Sequence, residues 1–407
     1  MIPFKLDIYK VAVMSIILAM CQSMMLYFTW SLPPIIVNFV TFIVLIPLIF
    51  RLKFKRSSVW IVFLLLCCYL YNYLHTPWSY IELINTGIVF LITAYVILSS
   101  KIFKLRLYNY FDCFLKFICA VSLFGWCLYF IGIPLPHYHS DTTDFYSHEV
   151  FYMFIMNDTG NILNTGDIFD LLPRFCGMFL EPGHIGSTAC LMLYINQFNF
   201  KDQFNYIYLL TIVLSLSLAA YCLFFIGLIL FYFLRGKNVV KYLTLILFLM
   251  LMFVVVGMTY NGGDNIIQEQ ILERLVIEDD GQLSGDNRTT YMFDYYYNKW
   301  LKNGNLLIGY GSEAYGNGSP TANLLHGTAS YKRFFFINGI AGVILVLFLY
   351  FIILKGNYSR IGIGLLLLII ICNMIRDYPY RMMWLYIYIT GLTVLRNNGL
   401  TQHIRGA

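Results

Sequence analysis

Twelve long apolar runs, separated by short basic or polar stretches, leave this chain few ways to fold. They lie near 9–29, 34–50, 58–74, 81–99, 110–133, 182–199, 204–216, 218–234, 242–259, 334–354, 361–375 and 382–395. A helix needs about 20 apolar residues, or about 17 at the short end, to cross a hydrocarbon core. Inside that core every backbone polar group must be satisfied within its own segment, so such runs become helices. The charged fraction agrees: 12% of 407 residues, against about 25% in soluble domains. The expected fold is all-α, a polytopic integral membrane protein of about twelve spans, with 1–407 as one membrane domain.

The basic residues test that count. They cluster at Arg51/Lys53/Lys55/Arg56, Lys101/Lys104/Arg106, Arg235/Lys237/Lys241 and Lys355/Arg360, between apolar runs. Lys and Arg accumulate in cytoplasmic loops, so the net charge of +6 records topology and gives no reason to expect a nucleic-acid partner. The stretch 204–234 has Lys201 before it and Arg235 after it. With both flanks cytoplasmic it must go out and come back, turning at Ser215-Leu216-Ser217. Both termini are then cytoplasmic. Lys5 and Lys10 precede the first run with no small-residue cleavage site after it, which reads as an uncleaved first span. The ten Cys lie in or beside apolar runs, which excludes a disulfide framework and a Cys-x-x-Cys zinc site.

Two long loops fall on the outer side, 134–181 and 260–333. The first holds Asp141, Asp144, Glu149, Asp158, Asp167 and Asp170, and the second is equally acidic. Loops of this length in a compact protein are usually functional. Joining the first loop to a span is Arg174-Phe175-Cys176-Gly177-Met178-Phe179-Leu180-Glu181-Pro182-Gly183-His184-Ile185-Gly186-Ser187. Pro182 suits the first position of a helix running to about Gln197. Such a helix start has unpaired N–H groups and a partial positive charge, and favours anions. Gly183 and Gly186 permit close backbone approach. Arg174 offers a bidentate fork for phosphate oxygens, and Glu181 and His184 add two titratable groups. A capped helix with an interfacial arginine is the plainer reading of the same residues.

This string resembles the R-x-x-G-x-F-x-E-P-x-x-x-G signature of bacterial O-antigen and capsule repeat-unit polymerases, and the related pattern of O-antigen ligases. Most of the chain is similar to that family's layout: about a dozen spans, a short Ser-containing hairpin after the signature span, and a large outer loop late in the chain. The resemblance implies a glycosyltransferase-C-like membrane fold in the bacterial inner membrane. It implies an enzyme without metal or other cofactor that joins polyprenyl-diphosphate-linked oligosaccharides on the periplasmic face, alongside a separate chain-length regulator. Family members have an Arg, a G-x-G and then a His near the returning helix. Arg288 and His326 match that order, and in the ligase relatives the corresponding His is regarded as a candidate base.

The second loop also carries Phe293, Tyr296, Tyr297 and Trp300, which share one helical face. That face reads as an amphipathic interfacial helix or as a stacking surface for sugar rings. The Gly-rich GYGSEAYGNGSP at 309–320 lacks the G-K-[ST] of a phosphate-binding P-loop. His137, His139, Asp141 and His148 read as a metal cluster or as an ordinary polar loop. Glu278-Asp279-Asp280 reads as a solvated acidic turn. Arg274 and Gly285 are separated by ten residues, a spacing found in some of these polymerases. Arg376-Asp377-Tyr378-Pro379-Tyr380-Arg381 is a charged outer hairpin that binds diphosphate or forms local ion pairs.

The expected reaction passes a glycan from its polyprenyl diphosphate to a hydroxyl of the next carrier-linked unit. Arg174, with Arg288 and the Gly183–His184 helix start, holds the diphosphate, and Arg376, Arg381 and Arg274 are additional candidates. His326 or Glu181 takes the acceptor proton. Two other readings remain. A ligase would pass the glycan to a lipid core. A flippase or transporter would place ionisable groups near the bilayer midplane, whereas Glu82, Asp112 and Lys116 are expected near span ends.

Overall fold

The computed structural model describes residues 7–52, 56–76, 79–143, 146–151, 155–158, 174–236, 239–265, 267–276, 289–315, 325 and 330–405. Among them the fold is helical: α1 (Ile8–Ser23), α2 (Pro34–Ile49), α3 (Arg56–His75), α4 (Tyr80–Leu98), α5 (Lys101–Phe130), α6 (Pro182–Ile195) and α7 (Asn205–Leu214). Then follow α8 (Leu218–Arg235), α9 (Val239–Thr259), α10 (Tyr291–Asn303), α11 (Tyr331–Gly356), α12 (Arg360–Ile375) and α13 (Met382–Arg405). A helix lies at each of the twelve apolar runs, and α10 is the amphipathic element of the second loop. Six helices, α3, α4, α5, α8, α9 and α11, are long and apolar enough to cross a membrane. Four more, α1, α2, α7 and α12, are apolar but shorter.

Several boundaries differ from expectation. Rather than starting at 110, α5 begins at Lys101, with Ser100 Oγ accepting from Phe103 N at 3.2 Å. No Gly or Pro interrupts the sequence from 101 to 124, so its basic residues enter the helix instead of a loop. At 30 residues it is about 45 Å long, more than the ~30 Å core requires. By contrast α6 stops at Ile195, because Gln197 and Phe198 take positive φ of 58° and 49°. Within the first outer loop lies an unexpected antiparallel meander, β1 (His137–Thr143), β2 (Tyr146–Phe151) and β3 (Ile155–Asp158), in the order β1-β2-β3. The aromatic and β-branched content of Tyr146–Phe151 suits a strand.

The chain divides into two compact units. The first comprises 1–24, 29–111 and 288–407. Its core gathers the Met382–Leu392 part of α13 with α1, α4, α11 and α12. Polar side chains tie these apolar helices together, as small hydrogen-bonding groups do inside membranes. Thr93 Oγ1 and Tyr386 OH are 2.9 Å apart, Tyr388 OH donates to Tyr350 O at 2.8 Å, and Asn38 Nδ2 donates to Asn85 Oδ1 at 2.8 Å. Gly339, with φ 61° and ψ −168°, breaks α11. There the loop before α11 lies against it, with Tyr310 N donating to Phe336 O at 2.7 Å and Ile340 N to Leu306 O at 2.9 Å. A Cβ on Gly309 would lie 2.4 Å from Ile337 O, so only glycine fits.

The second unit comprises 25–28 and 112–287. Its centre is α6, buried on every side from His184 to Ile195. Both α7 and α8 pack on it, and the turn between them falls at Ser215–Ser217 as the charge pattern requires. Ser217 caps α8, its Oγ accepting from Ala220 N at 3.4 Å. A Cβ on Gly186 would lie 2.6 Å from Ala220 Cβ and 2.9 Å from Ser215 Oγ. This glycine therefore brings α6 against α8. Close backbone approach was the expectation for Gly186, and the group that approaches is a neighbouring helix.

Candidate functional site

The signature segment belongs to the second unit and is held from both sides before α6 begins. Phe175 N donates to Leu214 O at 2.9 Å, and Tyr27 N donates to Met178 O at 3.0 Å. Gly177 turns the chain at φ 54°, and Phe175 meets Trp126 edge-on at 6.4 Å. Phe175 to Phe179 are buried as a block. Glu181 then takes the extended N-cap position, with φ −139° and ψ 148°, and Pro182 stands at the first helical position as its fixed φ favours. His184 N donates to Glu181 O at 3.1 Å, and the His184 ring is 4% exposed.

Arg174 is half-buried with Nε shielded from solvent. On the other side of the Ser215–Ser217 turn, Tyr221 in α8 donates its OH to Val213 O at 2.5 Å. Sequence reasoning missed Tyr221. Its signal was an aromatic one turn into the helix that follows the Ser-containing hairpin. Arg174, Glu181, Gly183 and His184 thus lie along one short path into a helix N-terminus that is buried in protein. Buried N–H groups and a guanidinium in low dielectric act on an anion more strongly than they would in water.

Elsewhere in the same unit, Asp112 and Lys116 lie about 16–23 Å from the start of α5, because the helix begins ahead of the apolar run it contains. Lys116 Nζ is 2.9 Å from Asp112 Oδ2 and 3.2 Å from Asp202 Oδ2. Asn196 Nδ2 and Tyr208 OH donate to Asp112 Oδ1 at 3.0 and 2.9 Å. The network ties the C-terminal end of α6 to α5 and α7. The expectation for Glu82 holds: it completes a capping box with Ser79 at the start of α4. Arg274 sits in a short helical stretch after α9, half-buried, and burial pushes its guanidinium below the usual arginine range.

In the first unit, α10 starts at Thr290, whose side chain accepts from Phe293 N at 3.2 Å. Phe293, Tyr297 and Trp300 are buried against Phe336 and Leu325, with Tyr310 stacked on Phe336 at 4.9 Å. The aromatic face therefore builds a core and is not presented to sugar rings; of the loop's other tyrosines, Tyr291 and Tyr295 are exposed. The expected base His326 and the expected partner Arg288 lie outside the described residues, as do Glu278-Asp279-Asp280 and Gly285. His137 Nδ1 is 3.1 Å from Leu135 O. In the meander His139 pairs with Glu149 and Ser140 with His148.

Arg376 and Arg381 flank Asp377 in the connection between α12 and α13. Arg381 Nη1 donates to Ser23 O at 3.0 Å, and its guanidinium covers the Tyr378 ring at 4.9 Å. Arg333, which the sequence did not single out, reaches Asp377 from α11, with Nε 3.5 Å from Oδ2.

The chain matches no protein-family model, no curated protein and no solved structure.

Proposed function

We propose that this chain is a surface-polysaccharide polymerase. On this reading it joins polyprenyl-diphosphate-linked oligosaccharide repeat units at the periplasmic face of a bacterial inner membrane, with both termini cytoplasmic. It is a metal-independent glycosyltransferase that works beside a chain-length regulator. The observation that carries the reading is the Arg174–Ser187 segment. It is a buried, proline-started helix N-terminus with Arg174, Glu181 and His184 within eleven residues.

The chemistry requires what such a segment offers. The acceptor hydroxyl loses its proton to a base and its oxygen bonds to the anomeric carbon of the donor glycan. The bond from that carbon to the phosphate oxygen breaks, and its electron pair leaves with the polyprenyl diphosphate. Arg174, the Gly183–His184 N–H groups and Arg288 stabilise that charge, and preorganised donors in a dry site are worth most for a developing anion. Glu181 or His326 accepts the proton. A rival transporter reading draws on the Asp112–Lys116 pair inside α5. Both charges there are already paired, Asp112 accepting from Asn196 and Tyr208 and Lys116 bonding Asp202, which suits a structural clamp better than a transport path.

Arg174→Ala tests the assignment. The variant should reach the membrane at the parent level and make no polymer; polymer of normal length from it would overturn the reading.

A further inference from the structure

At one end of the first unit, the start of α1 and the first turns of α5 leave a recess between them. It has a volume of about 170 Å³ and is lined by Asp7, Tyr9, Lys10, Val13, Arg106 and Tyr110. A single water needs only ~10–15 Å³, so the recess has room for a small charged group. Its depth fits a membrane interface. At about 45 Å, α5 is longer than the ~30 Å hydrocarbon core, and the surplus includes 101–109, the basic stretch ahead of its apolar run. Arg106 and Tyr110, one turn apart, therefore stand at headgroup depth. Tyr9 and Tyr110 are 39% and 40% exposed, as suits aromatic rings at a membrane–water interface.

The basic residues at this end fall into two groups. Lys101 Nζ donates to Asn397 Oδ1 at 2.8 Å, and Lys104 Nζ donates to Ile97 O at 2.7 Å. Lys10 and Arg106 are exposed, and among the described residues neither side chain has a hydrogen bond or an ion pair. These two are the ones that line the recess. The carboxylate beside them, Asp7, is the N-cap of α1, its Oδ1 accepting from Tyr9 N at 3.1 Å. The recess thus carries two cations against one anion, and the excess of one matches the single negative charge of a phosphodiester.

We propose that this recess binds the phosphodiester of an anionic phospholipid from the adjoining leaflet. Lys10 and Arg106 hold the phosphate oxygens, Arg106 through its guanidinium fork. Val13 and the two tyrosine rings supply the apolar wall that the lipid backbone requires. On the topology proposed above this is the cytoplasmic leaflet, where basic pockets between spans bind anionic headgroups. The site needs no part of the polymerase chemistry. Inorganic phosphate shares the ligand chemistry, and the test separates it from lipid.

The full chain in a nonionic detergent is titrated with phosphatidylglycerol, and the dissociation constant of the first lipid bound is read by native mass spectrometry. Lys10→Gln/Arg106→Gln should weaken that lipid about thirtyfold, at about 1 kcal/mol for each basic residue near a membrane surface. Asp7→Asn keeps the cap of α1 and removes the opposing charge, so it should tighten binding. Lys101→Gln removes one charge from the same end but outside the recess and should leave the constant nearly unchanged. An unchanged constant in the double variant would overturn the site, and a matching loss in Lys101→Gln would replace it with diffuse surface attraction. Phosphatidylcholine should bind the parent more weakly than phosphatidylglycerol; equal binding would overturn the anionic assignment. Displacement of the lipid by millimolar inorganic phosphate would overturn the lipid assignment in favour of a soluble phosphate ligand.

Discussion

The same glycine-to-alanine change should act in opposite directions at two helical positions. In α6, a Cβ on Gly186 would lie 2.6 Å from Ala220 Cβ and 2.9 Å from Ser215 Oγ. Carbon atoms in contact prefer about 3.5–4.0 Å. The Ala220 methyl cannot rotate away, so α6 and α8 must part by about 1 Å. Overpacking of this kind costs about 1–3 kcal/mol, against a gain of about 0.5–1 kcal/mol for replacing a mid-helix glycine. Gly186→Ala is therefore expected to destabilise by about 0.5–2 kcal/mol. At Gly87 in α4 a Cβ would meet nothing within 4 Å, so only the gain remains and Gly87→Ala should stabilise by up to about 1 kcal/mol. Thermal unfolding of parent and variants in one detergent, followed by tryptophan fluorescence, reads both signs. A stabilised Gly186→Ala would refute the close α6–α8 packing, and with it the account of how the signature segment is held.

Other consequences can be measured on the same preparations. Lys116→Met strips the cation from Asp112 and Asp202 and should destabilise by about 3 kcal/mol, the low end for a largely buried pair; adding Asp112→Asn, which still accepts from Tyr208, should restore most of the loss. Thr290→Ala removes the cap of α10 and should cost about 1 kcal/mol, seen as a lower unfolding midpoint. Burial pushes the Asp377 carboxyl above its usual range despite the three nearby guanidinium groups. A raised folded pKa gives stability that is present at low pH and lost as pH rises through that value. Parent should therefore gain stability relative to Asp377→Asn as pH falls through the range just above the ordinary carboxylate values. A difference between the two that stays flat across that range would contradict it.

Hydropathy and charge placed the helices well because a bilayer allows so few alternatives. The turn at Ser215–Ser217 followed from Lys201 and Arg235 alone, and the start of α6 followed from the fixed φ of Pro182. The early start of α5 escaped because its basic residues mark a membrane boundary without ending a helix. The partners of Gly186 and the tie from Arg333 to Asp377 join residues far apart in the chain, which local periodicity does not report. The amphipathic α10 was legible from its aromatic spacing, but what its face packs against was not, since a core and a sugar platform call for the same residues.

The account stands most directly on the length of the surface glycan. A strain lacking this gene, complemented with the parent chain or with Arg174→Ala, is compared by gel ladder. The parent should restore the full ladder, while the null strain and Arg174→Ala should show single repeat units on lipid core with nothing above them. Polymer accumulating on its polyprenyl carrier beside bare core, or repeat units trapped on the cytoplasmic side, would contradict polymerisation and return the chain to the ligase or the transporter reading.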